Sequence, residues 1–220
     1  MEGTVLMELL LGPVVWIAFA VFLLGSLYRL VSMLLLAKKE KVVLPTYDLR
    51  YGLRSVMHWI VPFNARNMRL RPLFTVVSFA FHFCLLVTPL LVMGHAVLWE
   101  RAWGIRWWSL PPGLADAMAL VVVFAGVFYI LRRISAPEVR YVTDYRDYLL
   151  VVLVISPFAT GFVAHQQWLD PEIMTVLHIL CGAAWLIAIP FTRLSHMFWW
   201  VFTRAFMGSE SGSVRHARDW

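Results

Sequence analysis

Charge is what this sequence has least of. Only 15% of its 220 residues are Asp, Glu, Lys or Arg, where a soluble domain of this length carries about 25%. A well-solvated globular surface is therefore excluded. Cysteine is nearly absent too, and Cys84 and Cys181 both fall in apolar stretches. A disulfide framework has nothing to build on, and no C-x-x-C-H sequence exists for covalent haem attachment. Both cysteines read as small apolar residues. The opening Met1-Glu2-Gly3 lacks the basic region of a secretory signal, so the first apolar block is expected to remain in the mature protein. Also missing are a glycine-rich phosphate loop, a nucleophile beside a base, and a carboxylate pair inside any apolar stretch.

What is abundant is hydrophobic length. Apolar residues make up 61% of the chain, and they gather in blocks long enough to cross a bilayer, which takes about 20 residues. Five blocks qualify, at about 9–36, 73–99, 114–131, 148–164 and 173–202. The expected fold is an all-α integral membrane protein, a bundle of five transmembrane helices forming one domain over 1–220. Pro13 is expected in the first turn of its helix, where proline is tolerated, and Pro157 should kink the fourth span. Asp170, Pro171 and Glu172 form a helix-start signal for the fifth. Residues 47–63 mix Leu49, Leu53, Val56, Met57 and Ile60 with Arg50 and Arg54 at helical spacing, which predicts a short helix in the membrane interface. The tail from Gly208-Ser209-Glu210 onward reads as polar and mobile.

The formal net charge of +6 does not point to nucleic acid, because of where the cations sit. Lys38, Lys39, Lys41, Arg50, Arg54, Arg66, Arg69 and Arg71 lie between the first two blocks. Arg132, Arg133, Arg140 and Arg146 lie between the third and fourth, and Arg204, Arg215 and Arg218 follow the fifth. The other two connections hold only Arg101 and Arg106. Fifteen against two is the positive-inside distribution. It predicts a multi-pass protein of the cell inner membrane, N-terminus outside and C-terminus in the cytoplasm. Trp99, Trp103, Trp107 and Trp108 on the outer side read as an interfacial aromatic belt.

Seven histidines are present. His216 lies in the tail, His58 in the interfacial segment and His165 at the outer end of the fourth span. His82, His95, His178 and His196 lie within apolar spans, where an ionisable group is costly and marks a candidate functional site; hydrogen bonding between helices is the plainer use. His178 and His196 are 18 residues apart, five whole turns of a straight helix and roughly 27 Å. Helices two and five run antiparallel in this topology. His82 then meets His196 on the inner side and His95 meets His178 on the outer side. Two bis-histidine sites stacked across a membrane suit haem-borne electron transfer. The 13 residues between His82 and His95 place them about 220° apart on an ideal helix, so a kink or bulge near Pro89 must supply the missing rotation.

These residues also resemble a family. The run His178-Ile-Leu-Cys-Gly through Pro190-Phe191-Thr192-Arg193-Leu194-Ser195-His196 is similar to the last helix of the respiratory nitrate reductase gamma subunit, a five-helix dihaem cytochrome b. Val21 to Arg29, and Arg132-Arg133 with Ser135, Pro137 and Arg140, are similar as well. The resemblance implies two haems b, all four axial ligands from helices two and five, and Arg29 and Arg193 as candidate partners of haem propionates. It departs at helix two, whose histidines are closer together in nitrate reductase, and at a lysine implicated there in quinol binding, which Ala115 replaces here, beside Asp116. Asp116 and Trp99 are the candidates for a quinone site. Phe81-His82-Phe83-Cys84, Gly94-His95 and Trp107-Trp108 look more like the related cytochromes of the transmembrane redox complexes of sulfate reducers. That resemblance implies a cytoplasmic iron–sulfur oxidoreductase subunit as partner, with periplasmic multihaem cytochromes, other membrane subunits and a menaquinol pool as further ones. The chain is then expected to be an electron-transfer subunit of an oxidoreductase complex. The alternative is a haem-free scaffold or small transporter subunit whose histidines bond between helices. A cytochrome b of hydrogenase or formate dehydrogenase type is a third reading, which the fifth-span motif disfavours.

Overall fold

A computed structural model describes residues 2–40 and 45–219; Lys41, counted among the cations above, lies outside them. The described residues are helical, without a strand. Among the described residues five helices are long and apolar enough to span a membrane: Val5–Lys39, Pro72–Leu91, Pro112–Ser135, Tyr145–Gln166 and Pro171–Phe191. Their outward faces are apolar, with Leu24, Phe83 and Phe124 each about two-thirds exposed (67%, 64% and 67%). Such a surface is stable against lipid and not against water. The protein is an all-α, multi-pass membrane protein.

The first span is a single helical run assembled from α1 (Glu2–Leu9), a π-helical turn (Leu10–Val14) and α2 (Val15–Lys39). Pro13 is not in its first turn. It sits inside the run, and the widened turn, in which the Val15 N–H reaches back to Leu10 O, absorbs it. After α3 (Leu49–Ile60) and α4 (Arg66–Leu70), the second apolar block forms two helices, α5 (Pro72–Leu91) and α6 (Met93–Trp103). Val92 between them is extended, with ψ 135°. Then follow α7 (Pro112–Ser135), α8 (Pro137–Arg140), α9 (Tyr145–Gln166) and α10 (Pro171–Phe191). The fifth block is not one helix either. Thr192 is extended, a 3-10 turn occupies Arg193–Ser195, and α11 (His196–Ser209) starts afresh before a last π-helical turn (Glu210–Val214).

Contacts gather the chain into two units. One comprises the residues up to Val15 with Val77–Trp185; the other comprises Trp16–Val76 with the residues from Leu186 onward.

In the first unit α7 packs along α9 through small residues. Ala115, Ala119, Val122, Ala125 and Gly126 of α7 are buried, as are Val154, Pro157 and Phe158 of α9. Gly126 leaves room for the Ile155 side chain, the close backbone approach on which membrane helices rely. At one end Arg133 reaches the buried Asp147 at 3.7 Å and Thr143 Oγ1 at 3.1 Å. Asp147 also accepts from the Asp144 N–H at 3.0 Å, completing the capping box that starts α9. Pro157 removes one N–H inside α9, and the Ser156 hydroxyl bonds the Leu153 carbonyl (3.0 Å) that loses its partner.

In the second unit α3 lies against α11. Its buried face is Gly52, Ser55 and Val56, while Leu49, Leu53, Met57 and Ile60 are all about half exposed (59%, 54%, 59% and 47%). The expected amphipathic helix is present within 47–63, capped by Asp48. The tail is not the loose end that its polarity suggests. Gly208 and Ser209 are buried against α3 as helix-contact residues. Asp219 accepts from Ser55 Oγ (2.5 Å) and pairs with Arg204 (3.0 Å), which stacks on Trp59. Gly25 of α2 faces Pro190, whose Cβ and Cγ stand 2.9 Å from where a side chain would begin. Beside it Arg29 Nε donates to Pro190 O at 2.8 Å.

Candidate functional site

The break at Val92 decides where His95 points. A helix that stops leaves its last four carbonyls without donors, and buried carbonyls must find them. In α5 each is accounted for. Thr88 O accepts from Val92 N–H at 2.9 Å and Leu91 O from Leu110 N–H at 2.8 Å. Leu90 O accepts from the Trp107 indole at 2.7 Å and Pro89 O from His95 Nδ1 at 2.7 Å. The imidazole is thus part of the clasp that closes the helix. Straight-helix geometry no longer links His95 to His82, because the extended residue resets the phase between them. What separates the two histidines, 13 residues apart, is a break rather than a kink in one continuous helix.

His178, on α10, meets His95. Their ring centroids are 5.9 Å apart and the rings are 26° from parallel. His178 Nδ1 donates to Pro157 O on α9 at 2.8 Å. Gly161, one turn further along α9, lies against the same ring: a Cβ there would stand 2.9 Å from His178 Cε1 and 3.0 Å from Nδ1. The Thr88 hydroxyl, next to Pro89, is buried and has no hydrogen-bond partner among the described residues.

The other two span histidines follow the same rule. His82 Nδ1 bonds Ser78 O at 2.7 Å, and His196 Nδ1 bonds Arg193 O at 2.8 Å. A carbonyl oxygen only accepts, so in all four rings Nδ1 carries the proton and, in the neutral ring, Nε2 carries the lone pair. That tautomer, fixed by a carbonyl behind the ring, is the arrangement of metal-ligating histidines. His58 has the opposite one: its Nδ1 faces the Asn64 amide nitrogen at 2.6 Å, which places the ring proton on Nε2. His216 is exposed.

Haem is the group that the sequence pattern implies, and the donor set fits it. Bis-imidazole ligation needs two neutral rings with Nε2 available. A metal ion about 2 Å from each of two imidazole nitrogens holds the ring centroids about 6 Å apart, close to the separation of His95 and His178. Among the described residues no group of three or more His, Cys, Asp or Glu gathers as a metal site; the imidazoles shown to meet are those of His95 and His178.

His82 belongs to the first unit and His196 to the second. The five-whole-turn argument for His178 and His196 does not survive the break at Thr192, since they lie on different helices. Pro190 and Thr192 explain the break. Thr192 Oγ1 bonds back to Ala188 O (2.8 Å) and caps Leu194 N (3.2 Å), ending one helix and starting the next turn. Arg29 is engaged through Nε with Pro190 O; Arg193 lies exposed in the 3-10 turn. Trp99 packs edge-on against Trp103 (4.4 Å) and tilted against Trp107 (5.9 Å). The belt tryptophans are thus a cluster with a clasp in it, a role that an interfacial composition does not reveal. Asp116 is joined to His165, a pairing of two residues that the sequence offered separately. Both cysteines are free thiols, Cys84 buried and Cys181 half-buried.

Fold and site define a five-span helical membrane protein with imidazoles set into its helix breaks. No family model matches the chain. It is 32% identical over 206 residues to a protein of Nitratidesulfovibrio vulgaris, an alignment covering 91% of each, and it belongs to the same family as that protein.

Proposed function

We propose that the protein is a dihaem cytochrome b subunit of a respiratory redox complex. It carries electrons across the cell inner membrane between a menaquinol pool or periplasmic cytochrome and a cytoplasmic iron–sulfur subunit. One observation carries the reading: all four span histidines turn Nδ1 to a backbone carbonyl, and two of them stand ring to ring at 5.9 Å. With Nδ1 of both rings already given to a carbonyl, neither neutral imidazole of the His95–His178 pair has a second N–H to offer the other.

In this reading His95 and His178 hold one haem, and His82 and His196 hold the other. Each haem supplies one-electron exchange at its iron. The protein's residues do the rest. The Pro89 and Pro157 carbonyls orient the imidazoles, Gly161 keeps the space beside His178 clear, and Arg29 and Arg193 are the candidate cations for the propionates. The cation bias places the connections after the first and third spans, and the C-terminus, in the cytoplasm, where an iron–sulfur partner is reached. That partner, other membrane subunits and a multihaem cytochrome rest on the resemblance of the helix-two and helix-five motifs.

The test is a reduced-minus-oxidised spectrum of the detergent-purified protein with a pyridine haemochrome count. The expected result is b-type bands and two haems per chain. A well-folded preparation with no such bands is a haem-free scaffold, and the reading is then wrong.

A further inference from the structure

In the second unit the tail returns to α3 and α11 and closes a polar pocket that has no part in the haem reading. The two helices approach through small residues: Gly208 faces Ser55, Gly212 faces Tyr51, and Ser209 Oγ accepts from the Asp48 N–H at 2.7 Å. Residues 210–219 then turn back, with His216 in the left-handed region (φ 51°) and the Ala217 N–H on Ser211 O at 2.8 Å. The reversal brings the Asp219 carboxylate onto Ser55 of α3 and Arg204 of α11.

The pocket is lined with donors. Ser55 is fully buried, the Arg204 side chain is 13% exposed and that of Asp219 8%. Ser55 Oγ (2.5 Å) and Arg204 Nη2 (3.0 Å) both reach a single carboxylate oxygen, Oδ2, and the guanidinium lies over the Trp59 ring at 4.5 Å. Three buried atoms of these same residues have no hydrogen-bond partner among the described residues: Trp59 Nε1, Arg204 Nε and Asp219 Oδ1. Buried polar atoms are nearly always paired, and arginine holds a carboxylate best through two parallel N–H bonds. Asp219 takes one of them. Two donors and one of its own oxygens stay unused, so the pocket is better suited to an anion than its occupant is to the pocket.

Charge and direction say which anion fits. The described residues of the second unit hold twelve Arg and Lys but four acids, Glu40, Asp48, Glu210 and Asp219. Asp48 caps α3, Glu210 pairs with Arg215 and Asp219 with Arg204. The unit thus has little anion of its own to spare. Ser55 and Trp59 lie roughly 100° or more around α3 from the exposed stripe of Leu49, Leu53, Met57 and Ile60. The pocket is therefore turned away from the side of α3 that suits lipid, which favours a soluble partner.

We propose that Ser55, Trp59 and Arg204 form a receptor for a carboxylate on an acidic segment of a cytoplasmic protein, and that Asp219 is an internal stand-in which this segment displaces. A carboxylate free of the tail's tether presents both oxygens to Arg204 Nε and Nη2 and leaves the Trp59 N–H within its reach. Residues 210–219 are then a latch: closed on Asp219 they cover the pocket, and lifted they open it. No haem takes part, so the inference shares only its topology with the function proposed above.

The test uses the intact purified protein in phosphatidylcholine nanodiscs and a fluorescently labelled hexaglutamate peptide, titrated by anisotropy at physiological salt. D219A, which empties the pocket, should bind the peptide at least about tenfold more tightly than the wild type, the scale of one charge-assisted hydrogen bond. D219A/R204K keeps the charge but not the fork, and should lose that gain. Tryptic cleavage at Arg215 and Arg218, both exposed, should quicken in D219A, and in the wild type when peptide is added. Equal binding by wild type and D219A, or by D219A and D219A/R204K, overturns the proposal, since the peptide then reads only the cationic surface. Release of the tail by phosphatidylglycerol in the nanodisc, without release by peptide, overturns it in favour of a lipid headgroup. Where D219A does not fold, the isosteric D219N takes its place. Where R204K does not fold, W59F, which removes one donor and keeps the ring, is read for the same loss.

Discussion

The two units put their polar residues to different uses. The first is a packing of small residues with imidazoles built into it: α7 and α9 approach through Ala119, Ala125 and Gly126, and His95 and His178 are held ring to ring by proline carbonyls. In the second, α2 buries only Ala18 and Ser26. Its elaborate polar contacts lie at α3, α11 and the tail, where Ser55, Arg204 and Asp219 join. Its ligand candidate His196 is exposed and bonds Arg193 O in its own turn, as the exposed His82 of the first unit bonds Ser78 O. A buried imidazole needs a carbonyl that a helix has released, and a break or a proline is the cheapest way to release one. The carbonyl of Pro89, freed by the break at Val92, serves His95 in this way; His178 takes the carbonyl of Pro157 on a neighbouring helix, and His82 takes that of Ser78 in its own.

Substitutions can break that contrast. The largest effect is expected from Gly161→Val. Its side chain must enter space already within 2.9 Å of His178, so the pyridine haemochrome count should fall from two haems to one. Gly182→Val on α10, where nothing lies within 4 Å, should leave both. If Gly161→Val retains two haems with wild-type spectra, the first unit does not depend on that clearance. Next is Arg133→Met, which takes one cation away from the buried Asp147 carboxylate. Such losses cost about 3–5 kcal/mol in a dry interior; with Arg133 29% exposed and the Asp144 N–H still present, about 2 kcal/mol is expected, read as a lowered thermal midpoint. Asp147→Asn should cost less than Arg133→Met.

Smaller effects sharpen the comparison. Trp107→Phe removes the donor to Leu90 O and should lower stability by about 1 kcal/mol while both haems stay, which separates the clasp from the ligand. In the second unit Asp48→Ala removes the cap of α3 and should cost about 1 kcal/mol or less, with no change in haem content. A haem loss in that variant would tie α3 to a cofactor site, contrary to the division of roles given above.

The five spans were legible because apolar length alone demands them, and Asp170-Pro171-Glu172 marked the start of α10 correctly. The breaks were not. Val92 is as apolar as its neighbours, so the hydrophobic pattern runs through it, and only Pro89, three residues earlier, hinted at an interruption. Thr192 after Pro190 was a readable stop and cap, hidden by the apolar run on either side. The meeting of His95 with His178 was legible from topology, although the straight-helix arithmetic used for the fifth span does not apply to a broken one. Gly208 and Ser209 read as a loose tail because small polar residues look alike whether they face water or a neighbouring helix. Asp116 and His165 were visible singly at the ends of adjacent spans; their contact depends on the packing register of α7 and α9, which composition does not encode.

The central claim, two imidazole pairs each gripping a haem, is tested most directly by optical redox titration of four single variants, H82A, H95A, H178A and H196A. Two b-type transitions are expected in the wild type. H95A and H178A should each retain the same transition, and H82A and H196A should each retain the other. Retention of different transitions by H95A and H178A, or a wild type with none, contradicts the account.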